Sequence, residues 1–234
     1  SLLEFQGKRL AITICEDVWN LCDRRYPSDP LEEIMELQPD LLINLSASPW
    51  HLNKEEQRKD LLRKVVEKVQ CPVSYVNAVG GNDELIFDGH SMSFDRNGDL
   101  ITLSSSFQEC IEVHDLGDSP IFENQEVKRM ESLRKALVLG IRDYAGKSGF
   151  SKGLVGLSGG IDSAVTAALA VEALGPGQVI GISLPSSISS GHSKDDARDL
   201  ADNLGIEFHT LPIQPIVDAA TERLNPLFGD LPPD

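Results

Sequence analysis

The stretch that most constrains the fold is Leu154-Val155-Gly156-Leu157-Ser158-Gly159-Gly160-Ile161-Asp162-Ser163, followed by the alanine-rich run from Ala164 to Leu174. An apolar run ends in two glycines bracketed by hydroxyls and a carboxylate, and a helix-periodic segment begins at once. This is the signature of a strand, an anion-gripping turn and a helix N-terminus. Paired glycines let the backbone approach a phosphate closely, the first free N–H groups of the helix point at it, and the Ser158 and Ser163 hydroxyls can donate to it. The turn has no lysine, so it is not a Walker loop, and it lacks the glycine spacing of a dinucleotide fingerprint. It ends instead in Asp162-Ser163, which offers a carboxylate to a metal ion bridging phosphates. The glycine pair alone reads more readily as a tight connection capped by serine.

The rest of the chain alternates strands and helices. Arg9 to Cys15 reads as a strand rich in β-branched residues that delivers Cys15 to its C-terminal end. A cysteine there can be a nucleophile or simply a small buried side chain. Asp29-Pro30 starts a helix that runs to about Gln38, Leu41 to Leu45 is a buried strand, and a long helix starts near Asn53 with Leu61, Leu62, Val65, Val66 and Val69 on one face. Val73 to Val79 is the next strand, broken by Gly80-Gly81-Asn82-Asp83. His90 to Phe94 and Asp99 to Leu103 then form a hairpin around Asn97-Gly98. Residues 116–128 read as a linker, and Glu126 to Ser148 as a helix closed by Gly149. The helix from Ile161 to Leu174 is apolar almost all round and is expected to be buried. Beyond it come a strand from Val179 to Leu184, a helix capped at Ser193 and stopped at Gly205, a strand from Ile206 to Leu211 and a helix from Gln214 to Leu224. Such alternation predicts a parallel sheet with helices on both faces.

A chain of 234 residues accommodates two modest domains. Its formal net charge of −16 repels nucleic-acid backbones and anionic membranes. An anionic substrate must then be captured locally, by helix N-termini and a metal. Cys15, Cys22, Cys71 and Cys110 have no metal-ligand spacing and read as free thiols in a reducing compartment, with Cys22, Cys71 and Cys110 as packing residues and Cys110 within a strand. No apolar run approaches a membrane span, and Ser1-Leu2-Leu3-Glu4 is no signal peptide, so a cytoplasmic location is expected. His192 and His209 receive no role.

Taken together, the six residues Ser158 to Ser163 resemble the PP-loop of the ATP pyrophosphatase superfamily, in which ATP adenylates a carboxylate or carbonyl and pyrophosphate leaves. The segment Ile14-Cys15-Glu16-Asp17-Val18-Trp19 resembles the nucleophile segment of the nitrilase superfamily. Residues 46–54 resemble a glutamine-binding loop, and the two halves in this order resemble the glutamine-dependent NAD synthetase family. The resemblance implies an α/β protein: a partial nitrilase-type α-β-β-α sandwich over residues 1–115, a linker, and a Rossmann-like parallel-sheet PP-loop domain over 129–234.

It further implies Cys15 as the catalytic nucleophile, with Glu16, Trp19, Ser48 and Lys54 binding glutamine. Leu157, Ser158, Gly159, Gly160, Ile161, Asp162, Ser163 and Leu184 would bind ATP, and Asp162 would hold Mg2+. Glutamine and deamido-NAD would be the substrates, in a homo-oligomer that binds neither nucleic acid nor membrane. Glu4 and Lys8 lie too close to Cys15 to be the Glu and Lys of a nitrilase-type triad, so the chain reads as an internal segment, inactive by itself. Two other readings stay open: a non-catalytic nucleotide-binding module, and a different glutamine-dependent PP-loop amidotransferase.

Overall fold

The computed structural model describes residues 1–21, 27–117 and 129–228. Cys22 and most of the expected linker therefore lie outside the described residues. The chain divides into two compact units, Ser1–Asp143 and Tyr144–Asp234.

The first unit is built on a six-stranded sheet of order β1-β2-β3-β4-β7-β8. Its strands are β1 (Leu2–Phe5), β2 (Lys8–Ile14), β3 (Leu41–Ser46), β4 (Val73–Asn77), β7 (Met92–Phe94) and β8 (Leu100–Leu103). The central β2, β3 and β4 run parallel, and the outer pairings are antiparallel. Between parallel strands the chain crosses over through α1 (Pro30–Glu36) and α2 (Lys54–Val69). Local chemistry sets both helices. The Asp29 carboxylate accepts the Leu31 N–H at 3.0 Å and Pro30 opens α1, while α1 stops before Gln38, whose φ is +45°. Asn53 makes no side-chain cap on α2, yet Glu55 and Glu56 sit in its first turn, where the helix dipole favours them.

One face of α2 drives Leu61, Leu62, Val65, Val66 and Val69 against Leu42, Val73, Tyr75, Met92 and Phe94 in the main core. Each such aliphatic side chain contributes about 1.5–3 kcal/mol on full burial. The strand period of two decides which residues join them: Leu42, Asn44 and Ser46 of β3 are buried, whereas Leu45 is exposed.

The glycines expected to break the β4 strand instead lie in a strand of their own. Val79–Asn82 (β5) pairs antiparallel with Leu85–Asp88 (β6). This hairpin lies against α3 (Arg129–Ser148), the helix that the sequence assigns to the second domain, and the first unit extends along α3 to Asp143. Close approach explains the glycines. A Cβ at Gly81 would meet the Gly140 Cα at 3.3 Å, and the Gly81 N–H donates to the Asp143 carboxylate at 2.7 Å. The β7–β8 connection also differs from a two-residue Asn-Gly turn. Asp95 accepts the backbone N–H groups of Asn97 and Asp99, each at 2.8 Å, and only Gly98 takes a positive φ. Cys110 is exposed and lies outside any strand, in a segment where Ile111 and Val113 are also exposed.

The second unit has a parallel three-stranded sheet of order β11-β10-β9. Its elements are β9 (Gly153–Gly156), α4 (Ile161–Leu174), β10 (Val179–Ser183), α5 (Gly191–Leu204), β11 (Glu207–Thr210) and α6 (Gln214–Phe228). Against expectation α4 is only partly buried. Ala167, Ala170 and Ala173 face the core, while Ile161 and Val165 are exposed. The small alanine faces let α4 lie close to the sheet with Leu157, Val179, Ala197, Ala201 and Ile206. The cap of α5 is Ser190, whose hydroxyl accepts the Ser193 N–H at 3.1 Å, and not Ser193 itself. Gly205, at φ +67°, ends that helix as its sequence position predicts.

Candidate functional site

Two candidate sites lie at the C-terminal ends of parallel strands, one in each unit, the edge where α/β sheets gather ligands. In the first unit β2 ends at Ile14, and Cys15 opens a 3-10 turn over Cys15–Leu21. Cys15 has a φ of +45°, a left-handed conformation that a non-glycine residue adopts only at a cost. The surroundings hold it there. The Ile14 N–H donates to the Asp17 carboxylate at 2.9 Å, and the Asn44 side-chain amide donates to the Cys15 carbonyl at 3.4 Å. The thiol bearer is half-buried, so it is held and yet reachable.

The four residues expected around glutamine fall into two groups. Lys54 Nζ lies 4.1 Å from the centre of the Trp19 ring, a cation–π contact that joins the start of α2 to the turn after Cys15. Glu16 is exposed on that same turn. Ser48 is buried, and its main chain is fixed from both sides: its N–H donates to Asn77 Oδ1 at 2.9 Å, and its carbonyl accepts from Arg58 at 2.7 Å.

Those partners belong to a buried polar network that the sequence reading did not single out. The Arg58 guanidinium grips both Asp88 oxygens, at 2.7 and 2.9 Å, with the two side chains 0% and 3% exposed. Asn77 adds bonds to Asp88 and to the Gly89 carbonyl. Next to it Lys59 pairs with Glu55 at 2.6 Å, and His90 Nε2 lies 3.7 Å from Glu55. Burial lowers the His90 pKa more than that carboxylate raises it. Burial likewise pushes up the Tyr75 phenol, whose hydroxyl lacks a well-aligned partner, although the Ser46 and Ser48 hydroxyls lie close enough to oppose the shift. The signal for the network was present in the sequence: Arg58 precedes Leu61 and Leu62 by helical spacing on the apolar face of α2, where a lone cation has to be paired.

The pair can be tested directly. Replacing Asp88 by Ala strands the Arg58 charge in the interior and is expected to cost about 3–5 kcal/mol. Urea unfolding measures this as a drop in midpoint, and an unchanged midpoint would mean that Arg58 escapes to water.

In the second unit the turn between β9 and α4 has the shape its sequence predicts. Gly159 takes a φ of +79°, and Gly160, at φ −90°, caps α4 without a side-chain bond. The serine hydroxyls act mostly within the loop. Ser163 donates to the Gly160 carbonyl at 2.9 Å and accepts the Ser158 N–H at 3.3 Å, while Ser158 Oγ accepts the Gly160 N–H at 3.2 Å. Anchoring the loop in this way leaves the first N–H groups of α4 available to an anion.

Gly159 also sets the distance to α5. A Cβ there would lie 2.5 Å from the Ser193 carbonyl oxygen, so the first turn of α5 closes one side of the phosphate turn. The Leu157 side chain is buried in the core, so only its main chain can serve the site, whereas Ile161 and Leu184 are exposed. Asp162 is exposed in the first turn of α4. Among the described residues no group of three or more His, Cys, Asp or Glu side chains converges. A single carboxylate suits magnesium, which is usually held by one or two carboxylates together with substrate phosphates and water.

Known proteins resemble the chain across both units. Residues 133–230 match the NAD synthase family. The glutamine-dependent NAD(+) synthetase of Synechocystis is 42% identical over 97% of this chain and 43% of its own length, and that of Aquifex aeolicus is 37% identical over 93% and 44%. The structure of the Acinetobacter baumannii glutamine-dependent NAD+ synthetase in complex with adenosine diphosphate superposes with a TM-score of 0.88, at 31% identity, over 100% of this chain and 44% of that one. The chain spans less than half the length of these relatives, and among the described residues no helix is long and apolar enough to cross a membrane. Residues 133–230 are thus similar to the NAD synthase family, and over nearly its whole length the chain is similar to the glutamine-dependent NAD(+) synthetases.

Proposed function

We propose that this chain contributes both sites of an enzyme that amidates deamido-NAD to NAD, consuming ATP and taking its nitrogen from glutamine. The observation that supports this reading most is the presence, in one chain, of a cysteine in a left-handed turn at the end of β2 and a phosphate turn between β9 and α4.

In the first unit Cys15 Sγ attacks the side-chain amide carbon of glutamine. A thioester forms, the C–N bond breaks and ammonia leaves with the thiol proton; water then releases glutamate and restores the thiol. Ser48 and Lys54 hold the amino-acid end of glutamine, and Glu16 and Trp19 line its path.

In the second unit the nicotinate carboxylate of deamido-NAD attacks the α-phosphorus of ATP. Pyrophosphate departs against the first N–H groups of α4, from Ile161 onward, where the helix dipole stabilises its charge. Ammonia then displaces AMP to form the amide. A magnesium ion at Asp162 would supply charge neutralisation between the phosphates. Ser158 and Ser163 hold the loop, the Leu157 main chain leads into it, and the exposed Leu184 flanks the nucleotide.

Glutamine labelled with heavy nitrogen in its side-chain amide provides the test in the intact protein. The label is expected in the carboxamide of NAD, with AMP and pyrophosphate formed in equal amounts. Label in another product would favour a different amidotransferase, and binding of ATP without turnover would favour a nucleotide-binding module.

A further inference from the structure

We infer that Asn44 is a positioning residue for Cys15: its buried carboxamide fixes the left-handed turn that presents the thiol. This rests on the reading of Cys15 as the glutaminase nucleophile. Asn44 stands in the middle of β3, in Leu41-Leu42-Ile43-Asn44-Leu45, and is 0% exposed. A buried amide without partners costs on the order of 1–3 kcal/mol, so its bonds account for its presence.

Those bonds converge on the end of β2. Asn44 Nδ2 donates to Thr13 Oγ1 at 3.0 Å and to the Cys15 carbonyl at 3.4 Å. The Ser46 hydroxyl donates to Asn44 Oδ1 at 2.7 Å, which fixes the orientation of the amide, and the Thr13 hydroxyl donates to the Ile43 carbonyl at 3.3 Å.

The pairing of β2 with β3 ends at Ile14 opposite Leu45, and Cys15 turns away from the ladder with a φ of +45°. Asn44 adds a tie from β3 to a carbonyl that has left the ladder. The Ile14 N–H, one peptide group earlier, is held by Asp17, so the chain is tied on both sides of the nucleophile. Without the Asn44 amide the turn loses its side-chain tie to β3, and Sγ would sample directions away from the amide carbon it attacks. Glutamine binding involves Ser48, Lys54 and Trp19, none of which bonds to Asn44, so the defect should appear in kcat and spare KM.

The experiment uses the intact protein with Asn44→Ala, Ser46→Ala and, as the control for the underlying reading, Cys15→Ala. Glutaminase kcat and KM, the iodoacetamide alkylation rate of the Cys15 peptide, the melting temperature and ammonium-dependent synthesis are measured for each. Asn44→Ala is expected to lower kcat by about 100-fold and Ser46→Ala by about tenfold, with KM for glutamine changed by less than about twofold. The Cys15 alkylation rate should shift in both variants, and ammonium-dependent synthesis should persist. A kcat within about twofold of the parent value in both variants, with Cys15→Ala inactive, would overturn the positioning role alone. So would a loss of glutamine-dependent and ammonium-dependent activity together with the melting temperature, which marks a folding role. Should Asn44→Ala fail to fold, Ser46→Ala decides by the same criteria. Glutaminase activity retained by Cys15→Ala would remove the nucleophile reading itself.

Discussion

Replacing Gly159 by alanine is expected to abolish amide formation from ammonium as well as from glutamine. The added Cβ would lie 2.5 Å from the Ser193 carbonyl oxygen and 2.7 Å from the Ser193 Cα. Both are main-chain atoms at the start of α5, so no side chain can rotate away. The residue also keeps a φ of +79°, which costs an L-residue roughly 1–2 kcal/mol even in open space. Either the phosphate turn or the first turn of α5 has to move, and the N–H groups of α4 then point away from the pyrophosphate. A displacement of about 1 Å at a reacting centre costs about 100-fold in rate, which sets the minimum expected loss.

Gly160, its neighbour in the pair, is a useful contrast. Its φ is −90°, and a Cβ there would meet only the Ser158 hydroxyl, at 3.3 Å, which can rotate. Gly160→Ala should therefore retain far more activity than Gly159→Ala. ATP titration and ammonium-dependent assays compare the two, and equal activity in both variants would show that the turn does not grip the nucleotide.

The difference between the two glycines shows what a sequence can and cannot reveal. The strand, turn and helix around Ser158 to Ser163 were legible because their signals are local: an apolar run, paired glycines and helical spacing. Cys15 was legible for the same reason, as the last position of a β-branched run. The constraint on Gly159 comes from Ser193, thirty-four positions along the chain, and no local pattern encodes it. Likewise Gly80 and Gly81 look like a chain break until Asp143 and Gly140 are placed beside them. The nearly uniform apolarity of α4 suggested burial on all sides, but a three-stranded sheet covers only its alanine face. The serine hydroxyls were legible as residues and not as roles, since whether Ser163 donates to a ligand or to the Gly160 carbonyl is decided by backbone geometry.

Cys15→Ala in the intact protein is expected to remove glutamine-dependent synthesis and to leave ammonium-dependent synthesis largely intact. Deleting a catalytic nucleophile can cost on the order of a millionfold in kcat, so glutamine-dependent activity should fall to background. The structural cost is small, because alanine keeps the Cβ, tolerates the φ of +45° about as well as cysteine does, and sits at a half-buried position. Cys71 provides the internal control. It is 0% exposed in the main core, and burial pushes its thiol up to about 11, so almost none of it is thiolate near neutral pH. Cys71→Ala removes core packing and should lower the melting temperature, yet spare glutamine hydrolysis in the fraction that stays folded. The two variants thus separate chemistry from packing: activity without stability loss is at stake at position 15, and stability without activity loss at position 71. If Cys15→Ala instead lowers both nitrogen sources equally along with the melting temperature, Cys15 is a packing residue, and its left-handed turn has some other use.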